Sequence, residues 1–185
     1  MPFVVVYDAS ALYPNAQRDL LIRIARAGLV QAKWTSQILD EMVAARQRRN
    51  PGIDPAKLER LRERMNDAIA DCVVTGYEQL IEGLKLPDPN DRHVLAAAIR
   101  AGAQVIVTSN LKDFPASDLA VFDVDAKSPD DFVLDQISID DRVVFSCVAE
   151  IANSRTRVPA TVEDVLTELE NGGLVRSVAA LRLPP

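Results

Sequence analysis

Four acidic residues occupy positions from which they could meet in the folded chain: Asp8, Glu41, Asp91 and Asp113. Asp8 and Asp113 follow apolar runs, whereas Glu41 and Asp91 lie near the starts of predicted helices. If the strands are parallel, all four can converge at one edge of the sheet, because the carboxyl ends of parallel strands share that edge. Crowded carboxylates raise one another's pKa and cannot all stay ionised unless a cation offsets them.

Oxygen ligands without an accompanying His or Cys cluster favour Mg²⁺ or Mn²⁺ over zinc. Such an ion can hold phosphate oxygens and activate a water, which is the chemistry of phosphodiester hydrolysis. A chain with 27 acids also offers many accidental quartets, so the spacing alone is not specific.

Short β-branched runs and amphipathic helices alternate along residues 1–127. Continuously apolar runs at residues 3–7 and 105–107 are typical of strands buried on both faces. Residues 29–34 and 120–124 predict two further strands. A helix predicted to open at Asp91 and end at Gly102 leads into the strand at residues 105–107. This alternation predicts a three-layer α/β/α domain with a mainly parallel sheet.

The remainder, residues 128–185, is helical by pattern. Ser128-Pro129 is followed by two acids, which is typical of a helix start. Apolar residues then recur at helical spacing, and Thr161 with Asp164 predicts a capping box. We interpret this part as a small all-helical C-terminal appendage.

Composition narrows the class of protein. The 185 residues are 48% hydrophobic, which excludes wholesale disorder. No run approaches the roughly 20 apolar residues of a membrane span, and no signal peptide is recognisable, so we expect a cytoplasmic protein without membrane contact. Cys72 and Cys147 lie far apart in apolar surroundings and are expected to be buried free thiols. No glycine-rich nucleotide-binding pattern follows a strand.

The net charge of −6 argues by itself against a nucleic-acid binder, but the distribution of charge is uneven. Between residues 46 and 64 lie seven basic residues against three acidic ones, beginning with Arg46, Arg48 and Arg49. Such a patch can receive phosphates. A solvated helix face with pairs such as Glu59–Arg62 explains it equally well.

Four ordered motifs, at residues 8–10, 36–41, 91–98 and 107–114, together resemble the PIN-domain nucleases. The closest likeness is to the VapC-type toxins of bacterial toxin–antitoxin pairs. It covers roughly residues 3–125, and the helical tail looks like the C-terminal extension of one branch of these toxins.

The resemblance implies that Asp8, Glu41, Asp91 and Asp113 are catalytic and bind Mg²⁺ or Mn²⁺ for RNA cleavage. The implied products carry a 5′-phosphate and a 3′-hydroxyl. Ser10 and Thr108 match supporting hydroxyl positions. Asn110 stands where some members carry an acid, which leaves the number of metals open. A small cognate antitoxin and a homodimer are expected partners, and Arg46, Arg48 and Arg49 are candidate RNA contacts.

Two alternatives to a toxin stay open at this point. One is an RNA-processing nuclease without an antitoxin, and the other is a non-catalytic module that keeps the fold to bind RNA or protein. His93, the single histidine, is expected to be a structural or helix-capping residue rather than an acid–base catalyst.

Overall fold

The computed structural model describes residues 2–183. Its centre is a four-stranded sheet in which every pair of neighbouring strands is parallel, with strand order β2-β1-β3-β4. The strands are β1 (Phe3–Tyr7), β2 (Val30–Lys33), β3 (Val105–Val107) and β4 (Asp125–Lys127). All four therefore end at the same edge of the sheet, as the sequence predicts for the first three.

The central strand β1 is buried on both faces. Val5, Val6 and Tyr7 are at most 1% exposed, as expected for a β-branched strand covered by helices on either side. Val5 pairs with Ala32 of β2 and with Val105 of β3. The predicted three-layer α/β/α arrangement is confirmed.

Local capping residues mark the ends of the helices in the first half. Thr35 caps α3, since its hydroxyl accepts the Ile38 N–H at 3.0 Å, and Asp54 caps α4. A positive φ of 85° at Gly28 follows the end of α2, a conformation that glycine adopts without strain. The helices are α1 (Ala9–Leu12), α2 (Asn15–Arg26), α3 (Ser36–Arg49) and α4 (Pro55–Ala68).

Helix α5 (Arg92–Ala101) runs back along the sheet. A 3₁₀ turn, Pro89–Asp91, precedes it, and Gly102, with φ of 64°, ends it just before β3. Because the end of α5 leads into the start of β3, its first residues lie towards the carboxyl edge of the sheet. Asp91, the N-cap residue of α5, is carried to that edge.

The prediction of a strand at residues 120–124 was wrong. Ala120–Phe122 is a 3₁₀ turn that follows α6 (Ala116–Leu119), and Asp123 turns the chain with φ of 55°. Val121 is 80% exposed, so its β-branched side chain does not pair or pack in the sheet. The edge strand is instead Asp125–Lys127, whose position is set by pairing with β3.

Four helices form the C-terminal part: α7 (Pro129–Ile139), α8 (Asp141–Ser154), α9 (Val162–Asn171) and α10 (Val175–Leu181). Ser128 caps α7, and Thr161 with Asp164 forms the expected capping box. The rings of Tyr7 and Phe132 meet edge to face with centroids 5.8 Å apart. Arg23 of α2 pairs with Glu150 of α8 at 2.9 Å. These helices therefore pack directly on the sheet domain and share its hydrophobic core.

Cys72 and Cys147 are free and buried, as expected, and burial raises the pKa of both thiols. Among residues 2–183, no helix combines the length and the hydrophobicity that crossing a bilayer requires.

Candidate active site

The pairing of β1 with β3 brings two distant segments together at the carboxyl edge. The Asp8 N–H continues the ladder by donating to the Val107 carbonyl at 3.0 Å, and the Thr108 N–H donates to Lys127 of β4 at 3.0 Å. Asp8 and Thr108 therefore lie side by side, although a hundred positions separate them in the sequence.

Asp8 is 5% exposed, and its carboxylate accepts three hydrogen bonds. Its Oδ1 accepts the Ala9 N–H at 2.7 Å. Its Oδ2 accepts the hydroxyls of Ser10 at 2.7 Å and Thr108 at 2.8 Å. These three donors compensate the loss of hydration that a buried charge suffers, so the carboxylate is held in one orientation.

Each hydroxyl is in turn fixed from the loop after β3. The Ser109 N–H donates to Ser10 Oγ and the Asn110 N–H donates to Thr108 Oγ1, both at 3.0 Å. Since each hydroxyl has one proton and gives it to Asp8, both can accept from this loop. The two predicted supporting residues, Ser10 and Thr108, are thus brought together on Asp8.

Asn110 contributes to this network through its backbone only. Its side chain is exposed and makes no hydrogen bond within residues 2–183. Asp113 follows in a short 3₁₀ turn, Leu111–Asp113, in which its N–H donates to the Asn110 carbonyl at 2.9 Å. The loop thus keeps Asp113 close behind Thr108.

The pKa of Asp91 reflects the concentration of negative charge at this edge of the sheet. Partial burial, followed by the charges of Asp8, Asp88, Asp113 and Glu41, raises its pKa to about 6. The three other acids named from the sequence, Asp8, Glu41 and Asp113, therefore each lie within electrostatic range of Asp91. Asp88 is a further acid at this edge, and it was not named as a candidate from the sequence. The feature of the sequence that indicates it is its position three residues before Asp91.

Glu41 reaches the edge from α3 and meets His93 of α5. His93 Nε2 lies 2.7 Å from Glu41 Oε1, and the histidine is 2% exposed. The ring N–H does not point along this line, so the contact is a close polar approach rather than an aligned hydrogen bond. His93 is thus buried beside Glu41, and its structural role stays a prediction.

The oxygen-only donor set suits a hard divalent cation. Within residues 2–183, however, no group of three His, Cys, Asp or Glu side chains lies close enough together to coordinate one metal ion. The acids are therefore gathered within Coulombic range but held apart.

A match to a family model decides the classification. The model described as PIN domain matches residues 4–112, which is more than half of the chain. The chain belongs to the PIN-domain family. The match spans Asp8, Glu41 and Asp91 and ends one residue before Asp113.

The helical part of this PIN-domain protein also has a counterpart. A model described as VapC50 C-terminal domain matches residues 129–183. The chain is 38% identical over 94 residues to "Putative ribonuclease VapC50" of Mycobacterium tuberculosis strain H37Rv. The aligned part covers 51% of this chain and 55% of the relative, so the chain spans about half the length of that curated protein. No solved structure matches.

These matches confirm the resemblance to VapC-type PIN domains with a C-terminal extension. They do not test the roles of individual residues or the division of the chain at residues 127 and 128, which stay predictions.

The candidate RNA contacts lie apart from the acids. Arg46 donates to the Tyr13 carbonyl at 3.1 Å and to Asn15 Oδ1 at 2.9 Å. Arg48 and Arg49 are exposed, and neither forms an ion pair within the described residues. In the same basic stretch, Arg62 pairs with Asp40 and Glu59. The alternative interpretation of this stretch, a solvated helix face with ion pairs, therefore accounts for Arg62 but not for Arg46, Arg48 and Arg49.

Substituting Thr108 by valine tests whether the hydroxyl network holds Asp8. The change keeps the shape but removes the Asp8 donor and the acceptor for the Asn110 N–H, so we expect a loss of about 1–3 kcal/mol in the free energy of unfolding. Urea denaturation measures it. The exposed Thr156→Val serves as a control with an expected change within about 0.5 kcal/mol. Equal stabilities for the two variants would contradict the network.

The raised pKa of Asp91 predicts a pH-dependent cost to folding. Its pKa is about 6 in the fold against 3.8 for the reference carboxyl, so the fold favours the protonated form. The contribution of Asp91 to the free energy of unfolding is therefore fully present below pH 3.8 and is lost as the pH rises through 6. Asp91→Asn should therefore raise Tm in EDTA at pH 8 relative to the wild type, with little gain at pH 4.

Thermal denaturation at both pH values measures this difference. Asp67→Asn, an exposed acid of α4, is the control and should shift Tm equally little at both. A gain for Asp91→Asn that does not change with pH would count against charge crowding at this edge.

Proposed function

We propose that this PIN-domain protein is a metal-dependent endoribonuclease and the toxin of a type II toxin–antitoxin pair. The observation that carries the proposal is the gathering of acids from four separate elements around Asp91, whose pKa they raise. An edge with this excess of negative charge is suited to a divalent cation. The name of the curated relative, a ribonuclease, supports RNA as the substrate class.

Asp8, Glu41, Asp91 and Asp113 would hold Mg²⁺ or Mn²⁺. When bound, the ion supplies Lewis-acid activation of a water and stabilisation of the leaving oxygen, which yields a 5′-phosphate and a 3′-hydroxyl.

The protein's own contribution is positional. Ser10 and Thr108 fix the Asp8 carboxylate, and Glu41 lies 2.7 Å from the buried His93. Asp91 is the N-cap residue of α5, where the helix dipole partly offsets the repulsion from its neighbouring acids. The Asp8 carboxylate is thus oriented before any ligand arrives, which reduces the entropy lost on binding.

The biological setting follows from the same proposal. A small cognate antitoxin would neutralise the enzyme, the enzyme would act as a homodimer, and its RNA substrate places its action in the cytoplasm. The support for the antitoxin is the VapC name of the matched C-terminal domain and of the curated relative, and the homodimer is carried over from the family resemblance.

A second candidate is a non-catalytic RNA-binding module with the same fold. The absence of a ready metal cluster among the described residues favours it, since a catalytic site would have to draw its carboxylates together when the ion binds.

RNA cleavage by the purified protein tests the catalytic proposal. With Mg²⁺ we expect cleavage of single-stranded RNA, and we expect Asp8→Asn and Asp91→Asn each to lower the rate by about a hundredfold or more because a ligand charge is lost. Mapping the product ends by phosphatase and ligase treatment checks the proposed polarity. Asp67→Asn controls for a general loss of negative charge. Equal cleavage by all four proteins would reject the proposal.

Thermal stability with Mg²⁺ distinguishes the enzyme from the binding module. An ion that binds only the folded state stabilises it by about 2.7 kcal/mol at a hundred times its Kd. We therefore expect Mg²⁺ to raise the Tm of the wild type and to leave the Tm of Asp91→Asn nearly unchanged. An equal response of both variants, or none in the wild type, would favour the binding module.

A further inference from the structure

A cationic cavity lies apart from the acidic edge. It has a volume of about 480 Å³, within the range of ligand pockets. Its wall comes from α2, α3, α4 and the segment between α8 and α9, and three apolar residues line it as well. The charged residues that line it are Arg18, Arg46, Lys57, Arg60, Arg64 and Arg157.

No acid lines this cavity. Within residues 2–183, none of its six cations has an Asp or Glu oxygen within 4 Å, although nine ion pairs of Lys or Arg with Asp or Glu form elsewhere in the described part of the chain. In a chain with a net charge of −6, six neighbouring cations without a partner are unusual. Their mutual repulsion is an electrostatic cost that a bound anion would remove.

Arg18 forms the deepest part of the cluster. It is 8% exposed, and its guanidinium donates only to neutral oxygens: Leu12 O at 2.9 Å, Tyr13 O at 3.3 Å and Asn15 Oδ1 at 2.8 Å. Burial and the neighbouring Arg46 together lower its pKa to about 10. A buried charge is normally paired, so this guanidinium lacks a counter-ion.

Arg46 competes for the same acceptors. It also donates to Tyr13 O and Asn15 Oδ1, and its own Nε is buried without a hydrogen-bond partner among the described residues. Two guanidinium groups therefore converge on two neutral oxygens. An anion beside them would supply both the missing charge and an acceptor for the Arg46 Nε–H.

We propose that this cavity binds backbone phosphates of an RNA strand next to the nucleotide that is cleaved. The inference deepens the proposed function, because it takes RNA as the substrate from there. It also assigns a role to the C-terminal part of the chain, which completes the cavity with Arg157.

The arrangement of the cations favours a strand over a single anion. Lys57, Arg60 and Arg64 lie on one face of α4 at i, i+3 and i+7, a row of about 10 Å. A row of this length exceeds one phosphate group and suits successive phosphates. Guanidinium groups bind phosphate through two parallel hydrogen bonds. The apolar residues of the lining can contact the ribose or base of a nucleotide. Binding of an acidic peptide would not require these apolar contacts.

The cavity is also placed to serve the acidic edge. Both sites share α3, which carries Glu41 and, about 7.5 Å further along the axis, Arg46. Carboxylates at the edge repel a phosphodiester, so binding energy must come from contacts beyond the reacting group. The cations of the cavity, which shares α3 with Glu41, provide such contacts.

RNA binding without cleavage tests the proposal. Fluorescence anisotropy with a short fluorescein-labelled single-stranded RNA in EDTA gives Kd as a function of salt. Arg60→Gln/Arg64→Gln changes only exposed side chains, and we expect Kd to rise about tenfold at ~50 mM salt and the salt slope to fall by about 1.4. Arg157→Gln should weaken binding by about threefold with a slope change of about 0.7.

The matched control is Arg26→Gln/Arg142→Gln, which removes two exposed arginines outside the cavity and gives the same net charge. We expect it to change Kd by less than about twofold. Circular dichroism verifies that each variant is folded. Equal losses in the pocket and control variants, or no loss in either, would overturn the assignment, as would a wild type that does not bind RNA.

The same experiment separates this inference from the proposed function. If the Arg60→Gln/Arg64→Gln variant cleaves RNA and binds it as tightly as the wild type does, the cavity assignment alone is overturned. A wild type that binds RNA through the cavity but never cleaves it supports the cavity and rejects the enzyme. Polyglutamate that binds the wild type more tightly than RNA and loses affinity in the pocket variant would assign the cavity to an acidic protein instead.

Discussion

The parallel pairing of β1 with β3 is the contact on which the candidate active site depends. It joins segments a hundred residues apart and places the Asp8 carboxylate against the Thr108 hydroxyl. A one-residue slip of this register would turn Asp8 to the opposite face of the sheet. The fully buried Tyr7 opposes that slip, because its ring would have to exchange places with the smaller side chain of a valine in a closely packed core.

The structure separates charge of opposite sign over a short distance. Asp91 lies among four other acids at the carboxyl edge, whereas Arg18 and Arg46 lie among other cations beside α4. Each cluster is electrostatically costly alone, and each would be relieved by a ligand of opposite charge. A nucleic-acid strand with its metal ion is a ligand that carries both.

The sequence predicted most elements through local signals. The β-branched run of β1, the Thr35 cap and the Gly102 stop are each readable within a few residues, and the four motifs that carry the acids lie on these elements. The prediction of the fourth strand failed, because Val121 and Phe122 have a higher strand propensity than the residues of β4, Asp125–Lys127. Pairing with β3, a tertiary effect, selects the latter segment.

Contacts between elements were the other limit of sequence reasoning. His93 meets Glu41 across two helices, and Arg157 joins cations that lie about a hundred residues earlier. Neither pairing leaves a periodic or local pattern. The individual acids could be named as candidates because they lie on four ordered motifs that resemble those of the PIN-domain nucleases, whereas the cationic cavity is formed by folding.

The edge-to-face contact of Tyr7 with Phe132 bears on how the chain is divided. Tyr7 belongs to the central strand and directly precedes Asp8, so α7 supports the floor beneath the acidic edge. Helices α8 and α9 cover α2 in the same way. The C-terminal helices thus form an outer wall of the sheet domain, and cutting the chain before α7 would expose the buried ring of Tyr7.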